Sequence, residues 1–187
     1  THIDARFVSA DVSRAEGMPG VVRVVQEEDF VAVVARTWYE AEQAKNAIVV
    51  EWDIPKLWES AEIEEMIKVG NGTPFVIQKN GDAEDLLEDA ADMIVSEYTS
   101  PIGAHAQLEP NGSLAVVKDG QATIYVSTQV PGYTRGEVAK RIGLDEEKVN
   151  IQPTFLGGGF GRRLHTPNAM QAAVLAKAVG RPVKIHL

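Results

Sequence analysis

The chain has no cysteine. Within these residues that excludes disulfides, thiolate metal sites, iron–sulfur ligation and a cysteine nucleophile, and it leaves the compartment open, bacterial periplasm or cytoplasm. Basic charge is scarce: 18 Lys and Arg stand against 27 Asp and Glu, a formal net charge of −9. Because nucleic-acid affinity comes from neutralising phosphates with Lys and Arg, no nucleic-acid partner is expected. No apolar run approaches the ~20 residues of a membrane-spanning helix. The residues after Thr1 are polar, so no signal peptide is expected among them. The histidines His2, His105, His165 and His186 are too widely spaced for a paired zinc site, and Gly-x-Ser-x-Gly, the hydrolase nucleophile elbow, is absent.

What is present is enough for a folded core. The 187 residues are 44% apolar and 24% charged, which points to a globular chain of one or two domains. It starts on Thr1 and stops in a strand-like run at Leu187, giving the expectation of a segment from a longer polypeptide. The stretch around which the rest is organised is Gly157-Gly158-Gly159-Phe160-Gly161-Arg162-Arg163, reached from the apolar run Val149 to Leu156. A strand entering such a turn exposes successive N–H groups to an anion or oxo group, and two adjacent guanidiniums suit phosphate or carboxylate. A glycine-rich strand end with no ligand fits the same residues. The spacing is neither a dinucleotide fingerprint, since the third glycine would fall at Arg162, nor a P-loop, since no Lys-Ser/Thr follows.

In chain order, weak alternation from Asp4 to Val12 precedes β-branched runs at Val21 to Val25 and Val31 to Ala35. Thr37 then caps a helix over Trp38, Ala41, Ala44 and Ala47, and Ile48 to Trp52 returns to strand character before Ile54-Pro55. This order predicts a small α+β unit over residues 1–55. Residues 56–92 read as an acidic linker with short helices, Ser60 capping Ala61 to Val69 and Asp82 preceding Ala83 to Ala91. Its carboxylates show no EF-hand spacing and read as a solvated face. Asn71-Gly-Thr73 and Asn111-Gly-Ser113 match the glycosylation sequon but read as Asn-Gly turns.

From Met93 the pattern is β-rich. Ile94 to Thr99 alternates, Ser113 to Val117 and Ala122 to Thr128 form a hairpin about Asp119-Gly120, Thr134 caps a helix that Gly143 stops, and Val149 to Phe155 is a strand. Pro167 opens a further helix stopped by Gly180, and Pro182 to Leu187 is the last strand. Residues 93–187 therefore form a second α+β unit whose strand ends converge on the glycine stretch.

Two further stretches carry candidate chemistry. His105, Gln107 and Glu109 fall at i, i+2 and i+4, on one face if extended, and Ser127-Thr128-Gln129 sets an amide at a strand end. Each is weak alone. In this order, His-Ala-Gln-Leu-Glu-Pro at 105 to 110, Ser-Thr-Gln at 127 to 129 and Gly-Gly-Gly-Phe-Gly from 157 to 161 resemble the molybdenum-binding subunit of the xanthine dehydrogenase and aldehyde oxidase family. Gly-Gly-Gly-Phe-Gly-Arg-Arg, with Thr37-Trp38 and Glu51-Trp52-Asp53, looks most like the isoquinoline 1-oxidoreductase beta-subunit branch, which includes membrane-associated aldehyde dehydrogenases.

The resemblance implies an α+β fold: a partial α/β hammerhead domain, then the first portion of a molybdopterin-binding domain. It implies hydroxylation of an aldehyde or N-heterocycle carbon with oxygen from water, at molybdenum held by molybdopterin in the cytosine dinucleotide form. Electrons would leave through an iron–sulfur subunit. By the same resemblance Gln129 would hydrogen-bond near the metal's oxo ligand, and Gly158, Gly159, Phe160 and Gly161 would line that face. Arg162 or Arg163 would reach a phosphate or a substrate carboxylate. No catalytic residue or metal ligand is expected here, because the family's catalytic glutamate lies in its distal part, so the chain alone is expected to be inactive and to bind no molybdenum. In the xanthine-type enzymes a glutamate follows the last motif glycine by three residues; Leu164 holds that place, against a purine substrate. Two other readings stand beside this one: a small-anion-binding module without redox chemistry, and an assembly domain that dimerises through bare strand edges.

Overall fold

A computed structural model describes residues 4–101 and 103–186. Its contacts form two compact units, one from residues 6–53 with 104–186 and one chiefly from the described part of 54–103.

The larger unit holds all the strands found among the described residues. β1 (Arg6–Asp11) pairs antiparallel with β4 (Val49–Asp53), with Phe7 opposite Trp52 and their rings edge-on at 5.8 Å. After the short helix α1 (Ser13–Glu16) comes an antiparallel pair, β2 (Val21–Gln26) and β3 (Val31–Ala35). Helix α2 (Trp38–Lys45) opens with the expected Thr37 cap, reinforced by Glu40 reaching back to the Thr37 N–H, a reciprocal capping box.

The remaining strands make one sheet in the order β7-β6-β5-β8. β5 (Gly112–Lys118) and β6 (Gln121–Val126) form the expected hairpin, and Asp119 and Gly120 take positive φ of 52° and 72°, as a type I′ turn requires. β6 feeds α5 (Pro131–Ile142), which returns the chain to β7 (Val149–Pro153), parallel to β6. α6 (Pro167–Val179) then leads to β8 (Val183–His186), antiparallel to β5. Gly143 and Gly180 end α5 and α6 in the left-handed conformation, as expected.

The core lies between this sheet and α5 and α6. Ile124, Val126, Val138 and Ile142 are buried from the sheet and α5, while α6 contributes Ala169, Ala172, Ala173 and Ala176 at i, i+3, i+4 and i+7. That stripe of small side chains lets α6 lie close on β5. Full burial of a side chain such as Ile124 is worth about 1.5–3 kcal/mol.

Several expectations are corrected. The run Ile94 to Thr99 alternates but forms no strand: a ladder needs a partner, none among the described residues pairs with it, and Ile94 and Tyr98 are 96% and 92% exposed. Thr134 does not cap α5, which begins at Pro131 after Val130; it lies one turn inside, fully buried. The helix near residue 60, α3 (Ser60–Met66), is capped by Glu59 with Glu62, not by Ser60. The next, α4 (Ala83–Glu88), ends before Ala91. β7 stops at Pro153, short of the expected Phe155. Asn111-Gly112 is no turn but the entry to β5. His2 and Leu187 lie outside the described residues.

Candidate functional site

Because β6 and β7 run parallel, their C-terminal ends open on the same side of the sheet, and a bond from the Thr154 N–H to the Val126 carbonyl at 3.1 Å carries the pairing to the strand ends. Ser127-Thr128-Gln129 leaves β6 there, and the glycine stretch leaves β7 beside it. The two motifs therefore meet. A Cβ placed on Gly159 would lie 2.6 Å from Gln129 Oε1, so only glycine admits the amide at that position. Gln129 itself is exposed, and its N–H donates to the Arg163 carbonyl at 3.1 Å.

The segment from His105 to Glu109 runs along the same glycines, each member of the i, i+2, i+4 series meeting one of them. Cβ atoms on Gly161, Gly158 and Gly157 would lie 3.7 Å from His105 Nε2, 3.3 Å from Gln107 Cβ and 2.5 Å from Glu109 Cβ. Three stretches up to 58 positions apart thus share one surface, the outermost residues being His105 and Arg163.

The loop has a donor-rich backbone. Gly158, Phe160 and Gly161 take φ of 103°, 49° and 90°, all in the positive-φ region. The Gly157 N–H goes to Glu109 Oε2 at 2.7 Å, and those of Arg162 and Leu164 go to Gly159 and Gly161 carbonyls. The N–H groups of Gly158, Gly159, Phe160 and Gly161 find no acceptor among the described residues. The Phe160 ring stands 72% exposed above them, at a φ costly for any residue but glycine.

The two arginines, left as alternatives by the sequence, have opposite environments. Arg162 is exposed. Arg163 is 2% exposed, and its Nη2 lies 2.9 Å from both Glu109 Oε2 and the Glu109 carbonyl, with Nη1 at 3.4 Å from the Ser127 carbonyl. Glu109 Oε1 also accepts from Ser127 Oγ at 3.2 Å. Beneath them the buried hydroxyls of Thr128, Thr134 and Thr166 form a chain, with links of 3.0 and 3.1 Å, that joins the end of β6 to α5 and the start of α6. Arg163 Nε and Gln107 Oε1 are buried without a partner among the described residues.

Among the described residues no cluster of His, Asp and Glu could hold a metal ion. A groove of about 600 Å³ between β3, α2 and β8 is lined by none of the three stretches, so size alone does not mark the site. The Glu109–Arg163 pair and the threonine chain are what sequence reasoning missed. Glu109 stood out by spacing, but its partner lies 54 positions away and nothing local announces it.

Comparisons with known proteins identify the family and the fold. Residues 68–187 match the family described as the molybdopterin cofactor-binding domain. The membrane-bound aldehyde dehydrogenase [pyrroloquinoline-quinone] of Gluconacetobacter polyoxogenes is 30% identical over 201 residues, covering 100% of this chain and 26% of that protein. The xanthine dehydrogenase molybdenum-binding subunit of Escherichia coli O157:H7 is 32% identical over 168 residues, covering 85% of this chain and 22% of that subunit. The aldehyde oxidoreductase of Desulfovibrio gigas shares the fold with a TM-score of 0.79 at 20% identity, over 98% of this chain and 25% of that one. The chain thus spans about a quarter of the length of these relatives. With a cofactor-domain match over residues 68–187 and relatives of this kind, the chain belongs to the molybdopterin cofactor-binding domain family, among the molybdenum-binding subunits of the xanthine dehydrogenase and aldehyde oxidase family.

Proposed function

We propose that these residues form one wall of the cofactor site in a molybdenum-dependent hydroxylase that oxidises an aldehyde or an N-heterocycle. The single observation that carries this reading is the row of unfilled N–H groups from Gly158 to Gly161 beside the exposed amide of Gln129. The fit of a molybdopterin group is supported by the loop itself: the N–H groups from Gly158 to Gly161 have no acceptor among the described residues, and the buried Gln107 Oε1 is an acceptor in need of a donor. When bound, the cofactor supplies two-electron oxidation with oxygen taken from water. Gly158, Gly159, Phe160 and Gly161 would hold it through their backbone N–H groups, and the exposed Gln129 amide beside Gly159 would add a further hydrogen-bonding group. Preorganised donors of this kind stabilise negative charge without reorganising.

Arg162 rather than Arg163 would reach a phosphate or a substrate carboxylate, because Arg163 is already committed to Glu109. Leu164, 42% exposed where xanthine-type relatives are expected to carry glutamate, favours an apolar aldehyde or heterocycle over a purine. Within the proposal, the branch is that of isoquinoline and aldehyde oxidoreductases, the cofactor is the cytosine dinucleotide form, and electrons pass to an iron–sulfur subunit. Residues 1–55 correspond to the hammerhead portion, 56–92 to the acidic linker and 93–187 to the start of the cofactor domain. The catalytic base and most cofactor contacts come from polypeptide beyond these residues.

The test uses the intact polypeptide purified with its partner. Molybdenum is expected in stoichiometric amount, and Gln129→Ala is expected to lower turnover about 100-fold with the unfolding midpoint unchanged. A bound quinone in place of molybdenum, which the name of the Gluconacetobacter relative makes worth measuring, or unchanged turnover in Gln129→Ala, overturns the reading.

A further inference from the structure

We infer that Glu109 and Arg163 are a positioning pair that gives the glycine loop its shape before any ligand arrives. The loop cannot hold itself. Its internal bonds near the turn are those from Arg162 N–H to Gly159 and Leu164 N–H to Gly161, at 2.8 and 3.1 Å, while the intervening donors are unfilled and Phe160 sits at positive φ. Such a backbone persists only if the surroundings over-determine it. Glu109 fixes the entrance, its N–H donating to the Gly157 carbonyl at 3.3 Å and its carboxylate accepting from the Gly157 N–H at 2.7 Å. Arg163 fixes the exit, and its side chain returns to the same Glu109 through both the carboxylate and the carbonyl.

The pair also sets the amide opposite. Ser127 is held by Glu109 through its hydroxyl and by Arg163 through its carbonyl, and the Arg163 carbonyl accepts from the Gln129 N–H and from Thr128 Oγ1 at 3.4 Å. One ion pair therefore ties the loop's entrance, its exit and the Ser127–Gln129 stretch to a common point. The Nη donors of the buried guanidinium are filled in fixed directions, Nε alone lacking a partner among the described residues, so the pair favours one conformation where a hydrophobic contact would tolerate several. The proposed cofactor reading enters only in what the loop would hold; the pre-forming of the loop stands without it.

Hydrogen–deuterium exchange on the intact polypeptide tests this, with molybdenum content as a second readout. Glu109→Gln keeps the shape but removes the charge, Arg163→Met keeps length but removes the fork, and Arg163→Lys keeps the charge alone. Exchange of the hydrogen-bonded amides 157, 162, 164 and 129 is expected to rise about tenfold or more in the first two and less in Arg163→Lys, while amides 172–176 of α6 stay within about twofold. Molybdenum content is expected to fall in the same order, and Gln129→Ala to leave exchange in the loop unchanged. Loop exchange that does not move, or a rise equal to that in α6, overturns the inference; should Arg163→Met not fold, Glu109→Gln and Arg163→Lys decide it. A wild-type protein without molybdenum overturns the functional reading and leaves the exchange comparison intact.

Discussion

Residues 54–101 and 104–186 contain similar apolar side chains and treat them in opposite ways. In the first stretch no described residue is buried, and Val69, Phe75, Ile77 and Ile94 are 95%, 87%, 90% and 96% exposed. In the second, Ile124 and Val138 are 0% exposed and Val126 is 1%. Local devices are available to both, since α3 carries a capping box like that of α2. What only the second stretch has is strand pairing across long separations, β6 with β7 and β5 with β8, and it is that pairing that gives helices a surface to cover. The candidate site follows the core: the strand ends that carry Gln129 and the glycine loop are fixed by the same sheet.

The largest expected effect breaks the comparison at its strongest point. Ile124→Ala removes buried methylenes from the middle of β6 and is expected to cost about 2–5 kcal/mol, whereas Ile94→Ala is expected to stay within about 0.5 kcal/mol. Urea unfolding of the intact polypeptide measures both. Equal costs would mean that the exposed stretch has a core of its own that its burial does not show.

The same contrast explains what the sequence made readable. The hairpin at Asp119-Gly120, the Thr37 cap and the glycine stops of α5 and α6 are short-range signals, and each stands where its residues put it. The Ile94 to Thr99 run failed because period-2 alternation reports a surface that could pair, not a partner that does. Thr134 failed for a related reason: a threonine after Pro131-Gly132 looks like a cap, but its hydroxyl is used by Thr128 and Thr166 from two other elements. At the candidate site, the meeting of the glycines with Gln129 was anticipated from the ordered motifs of the family resemblance, each motif being weak alone. Burial of Arg163 was not, since adjacent arginines carry identical local signals and only the Glu109 contact separates them.

A smaller effect sharpens the comparison by placing one device in both regions. Thr37→Ala removes the cap of α2, whose Ala44 is fully buried, and is expected to lower global stability by about 1 kcal/mol. Glu62→Ala removes the reciprocal bond at the start of α3, which buries nothing, and is expected to raise amide exchange in Ser60–Met66 without moving the global unfolding midpoint. A matching global loss in the Glu62 variant would show that α3 is coupled to a core.

The smallest effect concerns pH. The Glu62 carboxyl is held below its ordinary value of 4.5, first by the hydrogen bond from the Glu59 N–H and next by the Lys56 ammonium, its partner at 2.9 Å. A carboxyl with a lowered folded-state value binds its proton more readily when the helix is open. Its contribution is therefore present above pH 4.5 and is lost as pH falls through the lowered value. The group is fully exposed, so the loss is expected in the local protection of α3 and not in the unfolding midpoint. Glu62→Gln is expected to remove that pH dependence while the acid response of the sheet amides is retained. Acid exchange profiles of Ser60–Met66 and Gln121–Val126, measured in both proteins, read it directly: if the substitution flattens both profiles together, the two regions titrate as one and the contrast between them fails.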